Sequence, residues 1–220
     1  MKRQVMVVGL GQFGMALTRV LTERGVEVLA IDVDEARVRV ASSYAADVLC
    51  FDATDEDALA QAAPERRDVC VCAIGDEARE ASIVCTALLK QMGAKLLVAR
   101  VSSDLHERIL RLVGADVVVN PERAFGEGFA NNLIYERVKG ELNLGGDLLI
   151  TELEVPPSFV GRTLLELQLP RRYQLSVVAL RRAADPGTAL QPDPKHPFAS
   201  GDIIVVVGPP EAAARMLERI

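Results

Sequence analysis

Gly9-Leu10-Gly11-Gln12-Phe13-Gly14 sets three glycines at the spacing G-x-G-x-x-G, directly after the apolar run Gln4–Val8. Between a strand and a helix this spacing makes a phosphate site. Gly9 permits the tight turn, Gly11 removes a side chain where a pyrophosphate would approach, and Gly14 lets helix and strand pack closely. Gln12 and Phe13 open the helix, whose unpaired N-terminal amides and dipole favour an anion. Asp32 stands 23 residues past Gly9, at the carboxyl end of the next apolar run. A carboxylate there can accept both hydroxyls of a ribose, and it repels a 2′-phosphate, which disfavours NADP.

The other strand ends should line the same crevice. Asp52, Ala53 and Thr54 follow the third apolar run and are expected to flank an adenine. Ala73, Ile74 and Gly75 end the fourth and are expected beside the ribose, and Arg100 ends the fifth and offers charge to phosphates. No reaction centre accompanies these residues. Tyr135 and Lys139 have the Tyr-x-x-x-Lys spacing that short-chain dehydrogenases place on one helix face. Those enzymes also need a preceding Ser, and none occurs between Asp104 and Pro157. His106, with Asp104 before it and Glu107 after it, reads as part of an exposed helix face. Cys50, Cys70, Cys72 and Cys85 contain no Cys-x-x-Cys pair and lie far from His106 and His196, so they read as buried, reduced thiols rather than zinc ligands. A dinucleotide site without a reaction centre points to sensing. A small NAD-dependent oxidoreductase is the alternative.

The elements that must hold these residues alternate along the first two thirds of the chain. Apolar runs at Gln4–Val8, 27–31, 47–51, 68–74, 95–99 and 116–119 read as strands. Helical spacing appears between them, as in Phe13, Leu17 and Leu21, or Leu105, Ile109 and Leu112. Strands apolar on both faces and joined by helices predict an α/β fold, a Rossmann-type doubly wound parallel sheet. Composition agrees: of 220 residues, 50% are apolar and 25% charged, while aromatics are only 4% and Trp is absent, so the core must be aliphatic. The net charge of −6, without a basic run, excludes wholesale electrostatic binding of nucleic acid. No stretch approaches the ~18 apolar residues of a membrane span, and we read the chain as cytoplasmic.

The pattern changes at Pro121. Phe125, Phe129, Leu133, Ile134 and Val138 form one apolar stripe, which predicts a helix over about 121–139 that packs on its own domain or against another subunit. Gly140, Gly145 and Gly146 read as a hinge. The division expected is therefore 1–140, a nucleotide-binding domain, and 141–220, a small α+β domain of βαββα type. In the latter, 148–155, 174–181 and 203–207 read as strands, 163–167 and 209–220 as helices, and 183–200 as a loop with room for a short strand.

Joined, the segments VVGLGQFG, AIDVDE, DATD, CAIGD, VARV and GADVVVNPE, then LLITELEVP, FVGRTLLEL and SGDIIVVVG, cover nearly the whole chain. In this order they resemble the soluble regulators of Ktr/Trk potassium-uptake systems, built from an N-terminal and a C-terminal "regulator of conductance of potassium" domain. The resemblance implies a protein without enzyme activity. It implies homodimers assembled into a ring of eight beneath a membrane potassium-translocating subunit, hence a peripheral place on the inner membrane face. Its ligand would be an adenine nucleotide, ATP/ADP or NAD(H), whose exchange gates ion flow. Many ATP-responsive members carry Arg where this chain has Gln12, which leaves the preferred nucleotide open. The resemblance also implies a Mg²⁺ or Ca²⁺ ion beside the phosphates at Glu122. It further implies cyclic di-AMP between two C-terminal domains, near Leu164-Leu165 and Val177-Val178, with Arg171 and Arg172 as phosphate candidates.

Overall fold

The computed structural model describes residues 3–220, the side chains at 127, 128, 131, 132 and 145 excepted. It divides into two units, Met1–Glu122 and Arg123–Ile220. The first alternates strictly: β1 Gln4–Val8, α1 Gln12–Glu23, β2 Glu27–Asp32, α2 Glu35–Ala41, β3 Asp47–Cys50, α3 Glu56–Gln61, β4 Val69–Cys72, α4 Arg79–Gln91, β5 Leu97–Arg100, α5 Asp104–Leu112 and β6 Val117–Val119. The strands are parallel, in the order β3-β2-β1-β4-β5-β6. The expected doubly wound sheet is present, and its order reverses between β1 and β4, where such folds open a crevice at the strand ends.

Successive residues of each strand serve opposite faces. On one face Met6, Val8, Leu29, Ile31, Cys70 and Cys72 pack with Leu59 of α3, Leu89 of α4 and Leu110 of α5. On the other, Val5, Val7, Val28, Ala30 and Val71 meet Phe13, Leu17 and Leu21 of α1. The carboxylates of Asp34 and Asp55 and the hydroxyl of Ser103 accept the first-turn amides of Ala36, Ala58 and His106, fixing where α2, α3 and α5 begin.

Helix α5 corrects the expected phase. Its buried face is His106 and Leu110, while Leu105 and Leu112 are exposed. The helix carries two apolar stripes, and the sheet takes the one containing the histidine. Cys50 departs from the expected burial as well: it is exposed on the edge strand β3, whereas Cys70, Cys72 and Cys85 are buried.

Helix α6 spans Pro121–Ile134, shorter than the 121–139 expected. The chain then forms β7 Val138–Gly145, β8 Leu148–Glu154, the short helices α7 Leu164–Leu167 and α8 Leu169–Tyr173, then β9 Ser176–Arg182, β10 Asp185–Leu190, β11 Ile203–Gly208 and α9 Ala212–Glu218. The sheet order is β10-β9-β11-β8-β7, with every pairing antiparallel. Segment 138–145 is thus a strand and not a hinge. Val138, Leu142 and Leu144 alternate with Lys139, Glu141 and Asn143, the period of a strand. Gly146, at φ +60°, makes the turn into β8. Tyr135 and Lys139 consequently share no helix face: the Tyr135 hydroxyl donates to Glu218 Oε1 at 2.9 Å, and Lys139 pairs with Glu154 at 3.4 Å.

The second core gathers Leu153, Leu180, Ile204 and Val206 of the sheet with Leu167, Leu169, Met216, Phe159 and Phe198. Thr163 and Glu166 close a capping box on α7. Asp202, almost fully buried, accepts hydrogen bonds from the amides of Ala183 (3.1 Å) and Ala199 (2.9 Å) and from Arg182 Nη1 (2.7 Å). Burial pushes its carboxyl up, but these bonds outweigh burial and hold it below the usual carboxylate range.

Candidate nucleotide site

The turn after β1 is built from two glycines that packing requires and one that it does not. Gly9 has φ +93°, and a Cβ there would stand 2.9 Å from the Ile74 nitrogen. A Cβ on Gly14 would stand 1.8 Å from the Gly9 carbonyl oxygen. A Cβ on Gly11 would meet nothing within 4 Å, because Gly11 faces an open cleft. Helix α1 starts at this point with no side-chain cap and no acidic residue in its first turn. Its N-terminal amides and dipole are therefore free to serve an anion in the cleft.

The cleft encloses about 500 Å³ at the carboxyl ends of β1, β2 and β4. Ten of the thirteen expected binding residues line it: Gly9, Gly11, Gln12, Asp32, Asp52, Ala53, Ala73, Ile74, Gly75 and Arg100. The other three support it. Gly14 lies buried behind the turn. The Arg100 guanidinium sits 6.0 Å from the centroid of the Phe13 ring, a cation–π arrangement. Thr54 fixes Asp52, donating its amide (2.9 Å) and its hydroxyl (2.8 Å) to Oδ1. These two bonds hold the Asp52 carboxyl below its ordinary value.

Asp32 is buried, and its carboxylate is aimed by its neighbours. Oδ2 accepts the Leu10 amide and Oδ1 the Asp34 amide at 2.8 Å. Each oxygen keeps a second lone pair for a hydroxyl in the cleft. Arg37 Nη1 lies 3.7 Å from Asp32 Oδ2, and Arg37 Nε 3.4 Å from Asp34. Arg37 lines the cleft and was missed in the sequence reading, although its position three residues after Asp34 on a helix was a usable signal.

Asp76 and Glu77 were missed too. Asp76 is tied to Arg79 Nε at 2.7 Å and to the Ser102 hydroxyl, and these bonds hold its carboxyl low. Behind this corner lies His106, buried rather than exposed, with neither ring nitrogen partnered. Burial lowers its pKa, Arg79 lowers it further, and Asp76 opposes both.

Arg100 ion-pairs with Glu122 through Nη2 and Oε1. Glu122 sits in the first turn of α6 and does not line the cleft. Among the described residues no group of three or more His, Cys, Asp or Glu side chains is gathered to hold a metal ion. The arrangement has a division of charge. Backbone amides and Arg100 are suited to phosphates, and the buried Asp32 carboxylate is suited to the hydroxyls of a sugar. The described lining residues include no His, Lys, Tyr, Ser or Cys that could act as base or nucleophile.

A TrkA-N domain model matches residues 5–121 and a TrkA-C domain model residues 150–220. The Ktr system potassium uptake protein C of Bacillus subtilis (strain 168) is 31% identical over 220 residues, covering 100% of this chain and 98% of that protein. The Ktr system potassium uptake protein A of Vibrio alginolyticus is 32% identical over 218 residues, 99% of this chain and 98% of its own length. Among solved structures, the GsuK RCK domain superposes with a TM-score of 0.65 at 19% identity, covering 98% of this chain and 47% of that one. The NAD-bound GsuK channel gives 0.65 at 19%, covering 96% and 38%. These two likenesses speak to fold. Among the described residues no helix is long and apolar enough to cross a membrane. By the match of both domain models and by identity along its whole length to the Ktr-system proteins, the chain belongs to the family that joins a TrkA-N domain to a TrkA-C domain.

Proposed function

We propose that this chain is a nucleotide-sensing regulatory subunit of a potassium-uptake system, acting without catalysis. The observation that carries the reading is the cleft itself, suited to phosphate and ribose, with no His, Lys, Tyr, Ser or Cys among its described lining residues and with the Asp32, Asp52 and Asp76 carboxylates engaged by backbone amides, Thr54, Arg79 and Ser102. An adenine nucleotide lies with its phosphates over Gly11 and the start of α1, its ribose on Asp32 and its base toward Asp52 and Ala53. Gln12 carries no charge, so ATP is favoured over ADP only through Arg100 and Arg37, and NAD(H) suits the same frame.

The partner is a membrane potassium-translocating subunit, which places the chain at the inner membrane face. The stripe Phe125, Phe129, Leu133 and Ile134 is exposed on α6, with the two phenyl rings stacked at 5.6 Å. It serves as the surface that joins copies into dimers and then a ring of eight. A Mg²⁺ or Ca²⁺ ion reaches Glu122 only when Arg100 turns to the phosphates, whose oxygens complete its coordination. Cyclic di-AMP suits the 650 Å³ cleft of the second unit lined by Leu164, Leu165, Arg171 and Val177. Arg172 does not line that cleft. The test is potassium flux through the reconstituted uptake complex. Addition of ATP, ADP or NADH should change the flux with the wild-type chain and not with Asp32→Ala. Flux indifferent to all three would refute the reading.

A further inference from the structure

Arg171, Arg172, Arg215 and Arg219 line one cleft of about 350 Å³ between α8 and α9, with Tyr173 and Gln174 in its wall. These are four of the eleven Lys and Arg residues in the second unit. Other cations of that unit find carboxylates: Arg181 pairs with Glu152, Arg182 with Asp202, and Arg137 and Lys139 with Glu154. None of the four cleft guanidiniums has a carboxylate partner among the described residues, and no acidic side chain lines the cleft. Arg172 stands 5.4 Å from the centroid of the Tyr173 ring. Along α9, Glu218 accepts the Tyr135 hydroxyl, and Glu211 and Glu218 border a neighbouring cleft that Arg215 also lines, without an ion pair to it among the described residues.

The helix dipole accounts for part of this. Arg171 and Arg172 sit in the last turn of α8, Arg215 in the last turn of α9, and Arg219 caps it. Each carbonyl end favours a cation, but it carries only about half a charge. Two such ends neutralise roughly one of the four charges. The dipole also gives no reason for both pairs to open on the same cavity. In a chain of net charge −6, four guanidiniums around one cavity, without a carboxylate partner among the described residues, are a local field of the opposite sign.

We propose that the α8–α9 cleft is a binding site for a multiply charged phosphate anion, free in solution or presented as a phospholipid headgroup. Guanidinium forks match phosphate oxygens two at a time, and the Tyr173 ring, held by Arg172, supplies a flat wall for the body that carries the phosphates. The volume lies at the small end of the ~300–1,000 Å³ range of ligand pockets, enough for a di- or triphosphate or a phosphorylated headgroup. The site shares Arg171 with the cleft at Leu164 and Val177 but is otherwise distinct from it.

Arginine labelling of the full chain by phenylglyoxal, read peptide by peptide by mass spectrometry, tests this without interference from phosphate bound in the first unit. Arg162, outside the cleft, is the internal reference. Inorganic triphosphate, or vesicles of phosphatidic acid compared with phosphatidylcholine, should slow labelling of Arg171, Arg172, Arg215 and Arg219 about tenfold and leave Arg162 unchanged. Protection by triphosphate alone assigns a soluble ligand, and protection by phosphatidic acid alone assigns a headgroup. In Arg215→Gln/Arg219→Gln the protection of Arg171 and Arg172 should require at least about tenfold more anion, whereas Arg215→Lys/Arg219→Lys should retain most of it. No protection by either anion, or protection undiminished in the Gln variant, would overturn the proposal.

Discussion

His106 shows what burial does to a side chain that can carry charge. Neither ring nitrogen has a partner, so the core of α5 tolerates the neutral ring far better than the cation. Its folded pKa is lowered by that burial, then by Arg79. Below the ordinary imidazole value of ~6.5 the unfolded chain binds a proton that the folded chain refuses. The stability associated with His106 is therefore fully present above about pH 6.5 and is lost as the pH falls through that value. The carboxylates of Asp52, Asp76 and Asp202, all held low, lose theirs only in the more acidic range near the ordinary Asp value of ~3.9. Denaturant midpoints between pH 7 and 5 should fall for the wild type and stay nearly flat for His106→Leu. Equal slopes would show that the ring is not what titrates. The place of Asp32 in the wall of the cleft was legible from spacing alone, because the G-x-G-x-x-G turn and the end of the next strand meet at one crevice. His106 was not, since Asp104 and Glu107 around it imitate an exposed face and the helix offers the sheet two apolar stripes.

At the level of elements, the β1 turn makes a separable prediction about glycine. Gly14→Ala forces a Cβ into the Gly9 carbonyl and should destabilise the first unit at or above the upper end of the ~1–3 kcal/mol typical of overpacking. Gly11→Ala meets no protein atom, so thermal stability should change by less than about 1 kcal/mol. Nucleotide affinity should nonetheless fall, because the added methyl occupies the space a pyrophosphate needs. A Gly11→Ala protein that binds nucleotide as the wild type does would place the phosphates elsewhere. The first unit was readable because each parallel strand is a short apolar run stopped by Gly, Asp, Arg or, after β6, Asn120-Pro121, and the crossover rule then leaves few topologies. The hairpin of β7 and β8 was not readable in the same way. Its glycines at 140, 145 and 146 look like a hinge, and Val138 completes a helical stripe as well as it begins a strand. Pairing with Thr151, Ile150 and Leu149 decides for the strand. Helix α8 was missed because Pro170 reads as a breaker, whereas it occupies the first turn, where proline is at ease.

For the whole molecule, the exposed stripe of α6 has the greatest consequence. Phe125, Leu133 and Ile134 each expose about two thirds or more of their surface, more than a single soluble chain usually leaves open along one helix. Sedimentation of Phe125→Ser/Phe129→Ser should show a smaller species than the wild type at the same concentration, with the circular dichroism of the fold retained. An unchanged distribution would assign assembly to another face. The pattern of two domains was legible because the family's motifs run in order along the chain, while an exposed stripe such as that of α6 has no spacing rule that names what covers it. The proposed function depends on the first cleft holding an adenine nucleotide, and calorimetric titration of ATP, ADP and NADH into the full chain asks this directly. Binding of at least one of them is predicted. Its affinity should fall about ten- to a hundredfold in Asp32→Ala, as expected for the loss of charge-assisted hydrogen bonds to the ribose, and less in the shape-conserving Asp32→Asn. No heat from any of the three, or equal affinity in wild type and Asp32→Ala, would contradict the account.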